Sequence, residues 1–367
     1  MKKVELLAPV GNYDAMKAAV LNGADAIYLG GKNFGARQYA NNFGYEELQK
    51  AVDFCHIRGV KVYTTVNTLI ANDEFYEFKK YINFLYNIDV DAVIIQDLGA
   101  LKYIKEEYPD FEIHASTQMT IHNLEGVRLL EELGVKRVVL PREMSLEEIK
   151  YIKENSNMEL EVFVHGALCI CYSGQCLMSS LIGGRSGNRG RCAQPCRLPY
   201  KLIDLETREE IVNREGKYLL SPRDLNTIEN LDKLIEIGIE SLKIEGRMKR
   251  PEYVAVVVHA YKMAIEQYIK TGKINLERNI KKDLEKIFNR KFTKGYLFGE
   301  SGQDLMSFEK PGNRGVELGK VVDVSRKNNR IKINTKKRDF LLFEVICSYT
   351  VSPFLKNPGQ NSPKEIN

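Results

Sequence analysis

A chain of 367 residues, 44% hydrophobic and 28% charged, is long enough for one barrel-sized domain and a smaller companion, and its composition argues against disorder. Its formal charge of +5 is too modest to name an acidic partner by itself, and no apolar run approaches the ~18 residues that would span a membrane. The opening Met1-Lys-Lys-Val-Glu-Leu-Leu-Ala-Pro meets Glu5 and Pro9 before any long apolar stretch, so it does not read as a signal peptide, and a cytoplasmic protein is expected.

Short β-branched runs alternate with amphipathic stretches from the first residues, the pattern of βα units around parallel strands. Strands are expected at residues 4–8, 26–30, 61–67, 92–96, 112–116, 137–140, 161–164, 218–221 and 241–245. Helices are expected between them at 12–21, 45–57, 74–86, 100–107, 124–133 and 146–153. Several helices end in a glycine with a hydrophobic strand close behind, at Gly23, Gly59, Gly134 and Gly238, where a left-handed residue turns the chain back. The expectation is an α/β, TIM-barrel-like (β/α) barrel over residues 1–273; eight units close such a barrel, so one of the nine candidate strands lies outside it. A cysteine-bearing insertion at 166–217 leaves the C-terminal end of the seventh strand, the face on which barrel enzymes build their sites. A helix and a small β module follow at 274–340, then a divergent tail at 341–367.

Cys169, Cys176, Cys192 and Cys196 are separated by six, fifteen and three residues, in a glycine-rich run. In a reducing compartment such a set reads as a metal centre rather than a disulfide frame. Four thiolates suit an iron–sulfur cluster or structural zinc, and the first gap is wider than that of a usual zinc knuckle. Cys171 could stand in for Cys169, but its tight spacing makes it read as a core residue, and Cys55 and Cys347 read as packed small hydrophobes. No acidic residue occurs from Val162 to Ile203, while Arg185, Arg189, Arg191, Arg197 and Lys201 all fall inside. Those cations could stabilise a cluster, clamp phosphate or carboxylate, or be solvated loop charge. A second basic run holds Arg326, Lys327, Arg330, Lys332, Lys336, Lys337 and Arg338.

Polar residues recur where the strands end: Asn67, Gln96 with Asp97, His114 with Gln118, Arg142, His165, Arg223 with Asp224, and Glu245 with Arg247. In a barrel these positions converge on one pocket. Three arginines among them favour a di- or polyanionic ligand, and His114 and His165 are the candidates for proton transfer. Neither H-E-x-x-H nor G-x-S-x-G is present, so peptidase chemistry would need His114, His165 and Glu245 or Asp224 to meet in space.

The run Glu161-Val-Phe-Val-His165-Gly-Ala-Leu-Cys169, then Gly174-Gln-Cys176-Leu-Met-Ser179, Arg191-Cys192-Ala-Gln-Pro-Cys196-Arg197, Leu219-Leu-Ser-Pro-Arg223-Asp224-Leu and Lys243-Ile-Glu245-Gly-Arg247-Met-Lys-Arg-Pro-Glu252, resembles the family catalogued as peptidase U32 over roughly residues 1–300. The resemblance implies a [4Fe-4S] cluster on the four cysteines. It also implies either collagenase-like proteolysis or, as in other branches, oxygen-independent hydroxylation of tRNA wobble uridine, ribosomal RNA cytidine or a quinone ring, with prephenate as hydroxyl source in the RNA branch. A redox centre and an arginine-lined mouth suit hydroxylation of RNA, tRNA above all, with a small dicarboxylate as second ligand. A U32-type peptidase is the alternative, and a non-catalytic iron–sulfur subunit with a protein partner, or a homo-oligomer, the further one.

Overall fold

The computed structural model describes residues 4–211, 215–316, 319–325 and 330–334. Eight parallel strands form a closed barrel: β1 Glu5–Pro9, β2 Ala26–Leu29, β3 Lys61–Val66, β4 Ala92–Ile95, β5 Glu112–Ala115, β6 Arg137–Val139, β7 Glu159–Ala167 and β8 Ser241–Ile244. Each pairs with the next, and β8 pairs with both β7 and β1, which completes the ring. The helices between and after them are α1 Tyr13–Leu21, α2 Tyr45–His56, α3 Phe75–Asn87, α4 Leu98–Glu107, α5 Leu124–Glu132, α6 Leu146–Asn155, α7 Leu231–Ile237 and α8 Pro251–Thr271. The expected TIM-barrel-like fold is therefore the fold observed.

The expected ninth strand at 218–221 is a turn. Ser221 N–H donates back to the Tyr218 carbonyl at 3.1 Å, and Pro222, which has no N–H to give a ladder, follows at once. Pairing resumes at Asp224–Asn226, which runs antiparallel to the overshooting end of β7, with Asp224 opposite Ala167 and Asn226 opposite His165.

Local chemistry explains where the helices begin. Asn12 accepts from Ala15 N–H at 2.8 Å, Asp97 from Ala100 N–H at 2.9 Å, and Ser145 and Glu148 form a reciprocal capping box. At their ends Gly23, Gly59, Gly134 and Gly238 take positive φ angles between 68° and 95°, as the sequence led us to expect. The helices bury aliphatic faces such as Ala15, Met16, Ala19, Leu48, Val52, Phe78 and Ile82 against the outward side chains of the strands.

Inside the barrel an apolar tier of Leu7, Ala26, Tyr28, Tyr63, Ala92 and Ile94 lies beside an ion network. Arg137 reaches Glu5 at 2.6 Å, Glu159 at 2.9 Å and Glu161 at 3.4 Å, while Lys243 reaches Glu161 at 2.6 Å. Tyr63 and Ser241 donate hydroxyl hydrogen bonds to Glu5 at 2.7 and 3.1 Å. Burial alone would raise the Glu161 carboxyl, but Lys243 and Arg137 outweigh it and hold that group below the ordinary range.

The first compact unit runs Met1–Gly315, so the segment expected to open a separate module at 274 stays with the barrel: helix Arg278–Ile287 packs on α8, and Phe292–Thr293 pairs with Asp224–Asn226. A second unit begins at Val316 and contains the antiparallel pair Lys320–Ser325 and Arg330–Asn334. The tail at 341–367, with Cys347, lies outside the described residues. Among the described residues no helix is long and apolar enough to cross a membrane.

Because Arg137 joins three carboxylates in a water-poor interior, its removal strands buried charge. Arg137→Met should lower stability by about 3–5 kcal/mol in urea unfolding followed by circular dichroism. Lys136→Met, which breaks an exposed pair with Glu159, should cost less than about 1 kcal/mol in the same assay.

Candidate active site at the barrel mouth

Just past β8 the Glu245 carboxylate accepts from Arg142 Nη2 at 2.8 Å and from Arg37 Nη2 at 3.4 Å. Arg142 lies on the Phe163 ring, 3.6 Å from its centroid, which fixes the guanidinium over the barrel interior. Arg247 is buried and donates to Thr65 Oγ1 at 2.9 Å and to Asn42 Oδ1 at 2.7 Å, while its Nε has no partner. Burial lowers Arg247 to about 10, so it stays charged at neutral pH. Burial would raise Glu245, but Arg37, Arg142, Lys243 and Arg247 together hold it below the ordinary carboxylate range. Three guanidiniums against this one carboxylate leave a positive mouth suited to an anion with planar, bidentate oxygens.

Asn67, Gln96 and Gln118 also lie at this end. Asn67 Oδ1 accepts from Ala36 N–H at 3.0 Å and its Nδ2 donates to Ser116 at 3.3 Å, tying the loops after β2, β3 and β5 together. Gln96 Nε2 donates a long bond, 3.5 Å, to the Gln118 carbonyl. Four of the expected residues lie elsewhere. Arg223 donates Nε to the Met306 carbonyl at 3.0 Å. Asp224 is buried and held by Arg290, whose Nη1 and backbone N–H lie at 2.9 and 3.0 Å. His114 sits deep in the barrel against Tyr63 and near Glu112, where burial lowers its pKa.

His165 is turned out of the mouth by an irregularity in the β7–β8 ladder. Phe163 faces Lys243, but the next partner of Ile244 is His165, leaving Val164 as an extra residue. The imidazole therefore packs among Tyr253, Tyr261 and Phe292, with Nδ1 3.2 Å from the Tyr261 hydroxyl. Burial, helped by Lys249, lowers it to about 3. His114, His165, Asp224 and Glu245 thus occupy separate surroundings.

From the end of β7 the cysteine excursion is seated on loops around the mouth. Ser173 Oγ donates to Glu143 at 3.0 Å, and Thr120 Oγ1 donates to the Ser173 carbonyl at 2.9 Å. Gly174 has φ +82°, and a Cβ there would lie 2.7 Å from the Gln118 carbonyl oxygen, so only glycine lets the loop settle so closely. Farther along, Arg189 donates to the Leu69 carbonyl at 2.6 Å and to Glu74 at 2.5 Å, and Arg191 bonds Gln38. Arg197 ties Ser221, Pro222 and the Leu168 carbonyl.

This seating brings the thiols into one neighbourhood. Cys196 lies within electrostatic reach of Cys169, Cys192 and Cys176, and Cys171 within reach of Cys169 and Cys176. Gln194 N–H donates to Cys192 Sγ at 3.3 Å. Burial raises the Cys169, Cys171 and Cys196 thiols, so a metal taken up here displaces protons. Among the described residues no three His, Cys, Asp or Glu side chains already converge as a metal-ligand set. The donor chemistry, five free thiols with Arg37, Arg142 and Arg197 in electrostatic reach, suits a thiophilic centre of net negative charge.

Sequence reasoning passed over three features. Arg37 lies eight residues past Leu29, beyond the strand-end positions that signal a mouth residue. His122 Nε2 and Glu143 Oε2 face each other at 3.7 Å, both buried and without hydrogen-bond partners. Lys249, packed over the Phe288 ring, is brought to about 7 by burial and by Arg290.

The model of peptidase family U32 matches residues 11–307. The chain belongs to that family. It is 38% identical over 311 residues to tRNA hydroxylation protein P1 of Bacillus subtilis, covering 84% of this chain and 74% of that one. It is 38% identical to a 23S rRNA 5-hydroxycytidine synthase of Escherichia coli over 88% of its own length, yet spans only 50% of that protein. A protein named collagenase from Porphyromonas gingivalis is also 38% identical, with 81% of this chain and 74% of that one aligned. The family expected from the motifs is the family found.

The buried His165 gives a pH signature. Its folded pKa of about 3 lies below the unfolded value, so the unfolded chain takes up the extra proton and stability falls as pH drops from about 6.5 toward 3. His165→Phe should remove up to about 1.4 kcal/mol per pH unit of that slope. Urea midpoints of the two proteins, compared across the window, read it directly; parallel curves would contradict it.

Proposed function

We propose that this U32 protein is an RNA hydroxylase acting on a tRNA pyrimidine, with the wobble uridine as the favoured target, and that it works in the cytoplasm. The observation that carries the reading is the positive mouth of Arg37, Arg142 and Arg247 beneath the thiol-rich excursion. RNA-hydroxylating relatives at 38% identity support it. Cys169, Cys176, Cys192 and Cys196 would hold a [4Fe-4S] centre, with zinc as the alternative occupant, and such a centre when bound supplies one-electron redox chemistry that peptide hydrolysis does not need. Arg142, held flat on Phe163, is oriented to take one carboxylate of a dicarboxylate such as prephenate. Arg37, at 3.4 Å from Glu245, is the looser partner and can turn to a second.

The collagenase relative supports a peptidase as the second reading. It is the weaker one, because His114 and His165, the histidines expected to serve it, are both buried away from the mouth. Of the second basic run, Arg326, Lys327, Lys336, Lys337 and Arg338 lie outside the described residues.

Mass spectrometry of tRNA nucleosides from cells with and without the gene tests the reading: a hydroxylated uridine should vanish on deletion and return with the intact gene but not with Cys176→Ala. Gelatin cleavage with unchanged nucleosides would move the assignment to the peptidase. Protein prepared without oxygen should carry about four irons per chain, and stoichiometric zinc instead would remove the cluster. Arg142→Lys should weaken dicarboxylate binding by about 1.5–3 kcal/mol, nearly as much as Arg142→Ala, because lysine cannot reproduce the bidentate contact. Iron content should stay unchanged in both variants.

A further inference from the structure

Where the loops after β3, β4 and β5 meet lies a cavity of about 440 Å³. Leu69, Leu98 and Met119 form its walls, and the first two are 52% and 58% exposed, an apolar rim open to solvent. Its polar lining comes from Gln96 and Gln118. Gln96 is only 9% exposed, and its Oε1 is buried without any donor, while its Nε2 makes only the long bond to the Gln118 carbonyl. A buried amide acceptor left unpaired costs free energy until a ligand N–H reaches it. Asp97 also lines the cavity, but one oxygen caps α4 through Ala100 N–H at 2.9 Å and the other accepts from Ile70 N–H at 3.1 Å. Recognition here therefore falls to a neutral primary amide between apolar walls.

We propose that this cavity receives the unpaired pyrimidine base of the RNA, with the Gln96 amide reading its edge. A primary amide offers an acceptor beside a donor; N3–H with O4 of uracil, or N4–H with N3 of cytosine, is the matching pair. Leu69 and Leu98 supply apolar surface for the two faces of the ring, as pockets for flipped-out bases do. Arg189, paired with Glu74, bonds the Leu69 carbonyl at the rim and its side chain is 41% exposed, so its remaining N–H groups are hydrogen-bond donors for the nucleotide's sugar or phosphate. Gly174 rests on the Gln118 backbone, which lines the cavity, so a base there lies near the loop that carries Cys176. The inference rests on the RNA reading above and adds to it the subsite and the group that reads the base.

Saturation-transfer NMR on the full chain with UMP, CMP and ribose 5-phosphate tests it. The H5 and H6 protons of UMP and CMP should receive saturation, and ribose 5-phosphate, which has no base to enter the cavity, should compete at least about tenfold more weakly. Gln96→Leu, and the near-isosteric Gln96→Glu that removes the donor, should each weaken UMP binding about tenfold or more with the melting temperature retained. Should either variant fail to fold, Leu98→Asp at the exposed rim serves in its place with the same expected loss. UMP binding unchanged in the folded variants, ribose 5-phosphate binding as well as UMP, or no nucleotide signal at all would overturn the pocket. The two readings separate: unchanged tRNA nucleosides in deleted cells with UMP binding intact would remove the hydroxylase reading alone, and full hydroxylation by Gln96→Glu protein would remove the pocket alone.

Discussion

Everything at the functional end depends on β7 being too long for the barrel. It runs nine residues, where the other seven strands run three to six. Its first half belongs to the interior, with Glu161 pinned by Lys243 and Arg137. At Val164 the ladder slips by one residue, so the second half presents the opposite face. The overshoot would be a bare edge but for Asp224–Asn226, which pairs with it antiparallel and is itself anchored by Arg290. The cysteine excursion is thus a loop clamped at both stems, leaving at Leu168 and returning through Arg223, and its thiols inherit the position of the barrel rim.

Charge is handled differently at two levels of the barrel. In the interior Glu5, Glu159 and Glu161 face Arg137 and Lys243, with hydroxyls of Tyr63 and Ser241 filling remaining lone pairs. Such a network is satisfied, and its worth lies in how costly it is to break. At the mouth the balance is reversed: Arg37, Arg142 and Arg247 surround Glu245, and the Nε of Arg247 is left without an acceptor. The same residue types therefore make a rigid floor below and an anion-seeking surface above.

The barrel was legible because its signals are local and repeated: alternating hydrophobic periods, capping residues such as Asn12 and Ser145, and glycine at four helix ends. The turn at 218–221 was misread because Tyr218, Leu219 and Leu220 look like a strand, while Pro222 just beyond weighed too little. Arg142 and Arg247 were legible as strand-end residues. His165 was not, since a one-residue slip in pairing leaves no trace in a single sequence and yet reverses the face on which a side chain lies. Arg37 was hidden for a different reason: it reaches the mouth by loop closure, through the Asn67 hydrogen bond to Ala36, and no period marks it.

The acid-free window of the excursion also changes meaning once its partners are known. Read as sequence, Arg185, Arg189, Arg191, Arg197 and Lys201 are five cations free to meet phosphate. In the structure Arg189 is paired with Glu74, Arg191 is spent on Gln38, and Arg197 lies among carbonyls behind the loop, while Lys201 pairs with Glu210. Arg185 lies over Tyr39, 5.0 Å from the ring centroid, and bonds the Arg191 carbonyl. The shortage of carboxylates thus lets these arginines latch onto neighbouring loops, and their charge contributes less to a long-range field than the count suggests. For this unit, attraction of an anion rests more on the uncompensated guanidiniums of the mouth, which act at short range on whatever enters. Such an arrangement favours recognition of one small anionic group at the rim over grip along an extended polyanion.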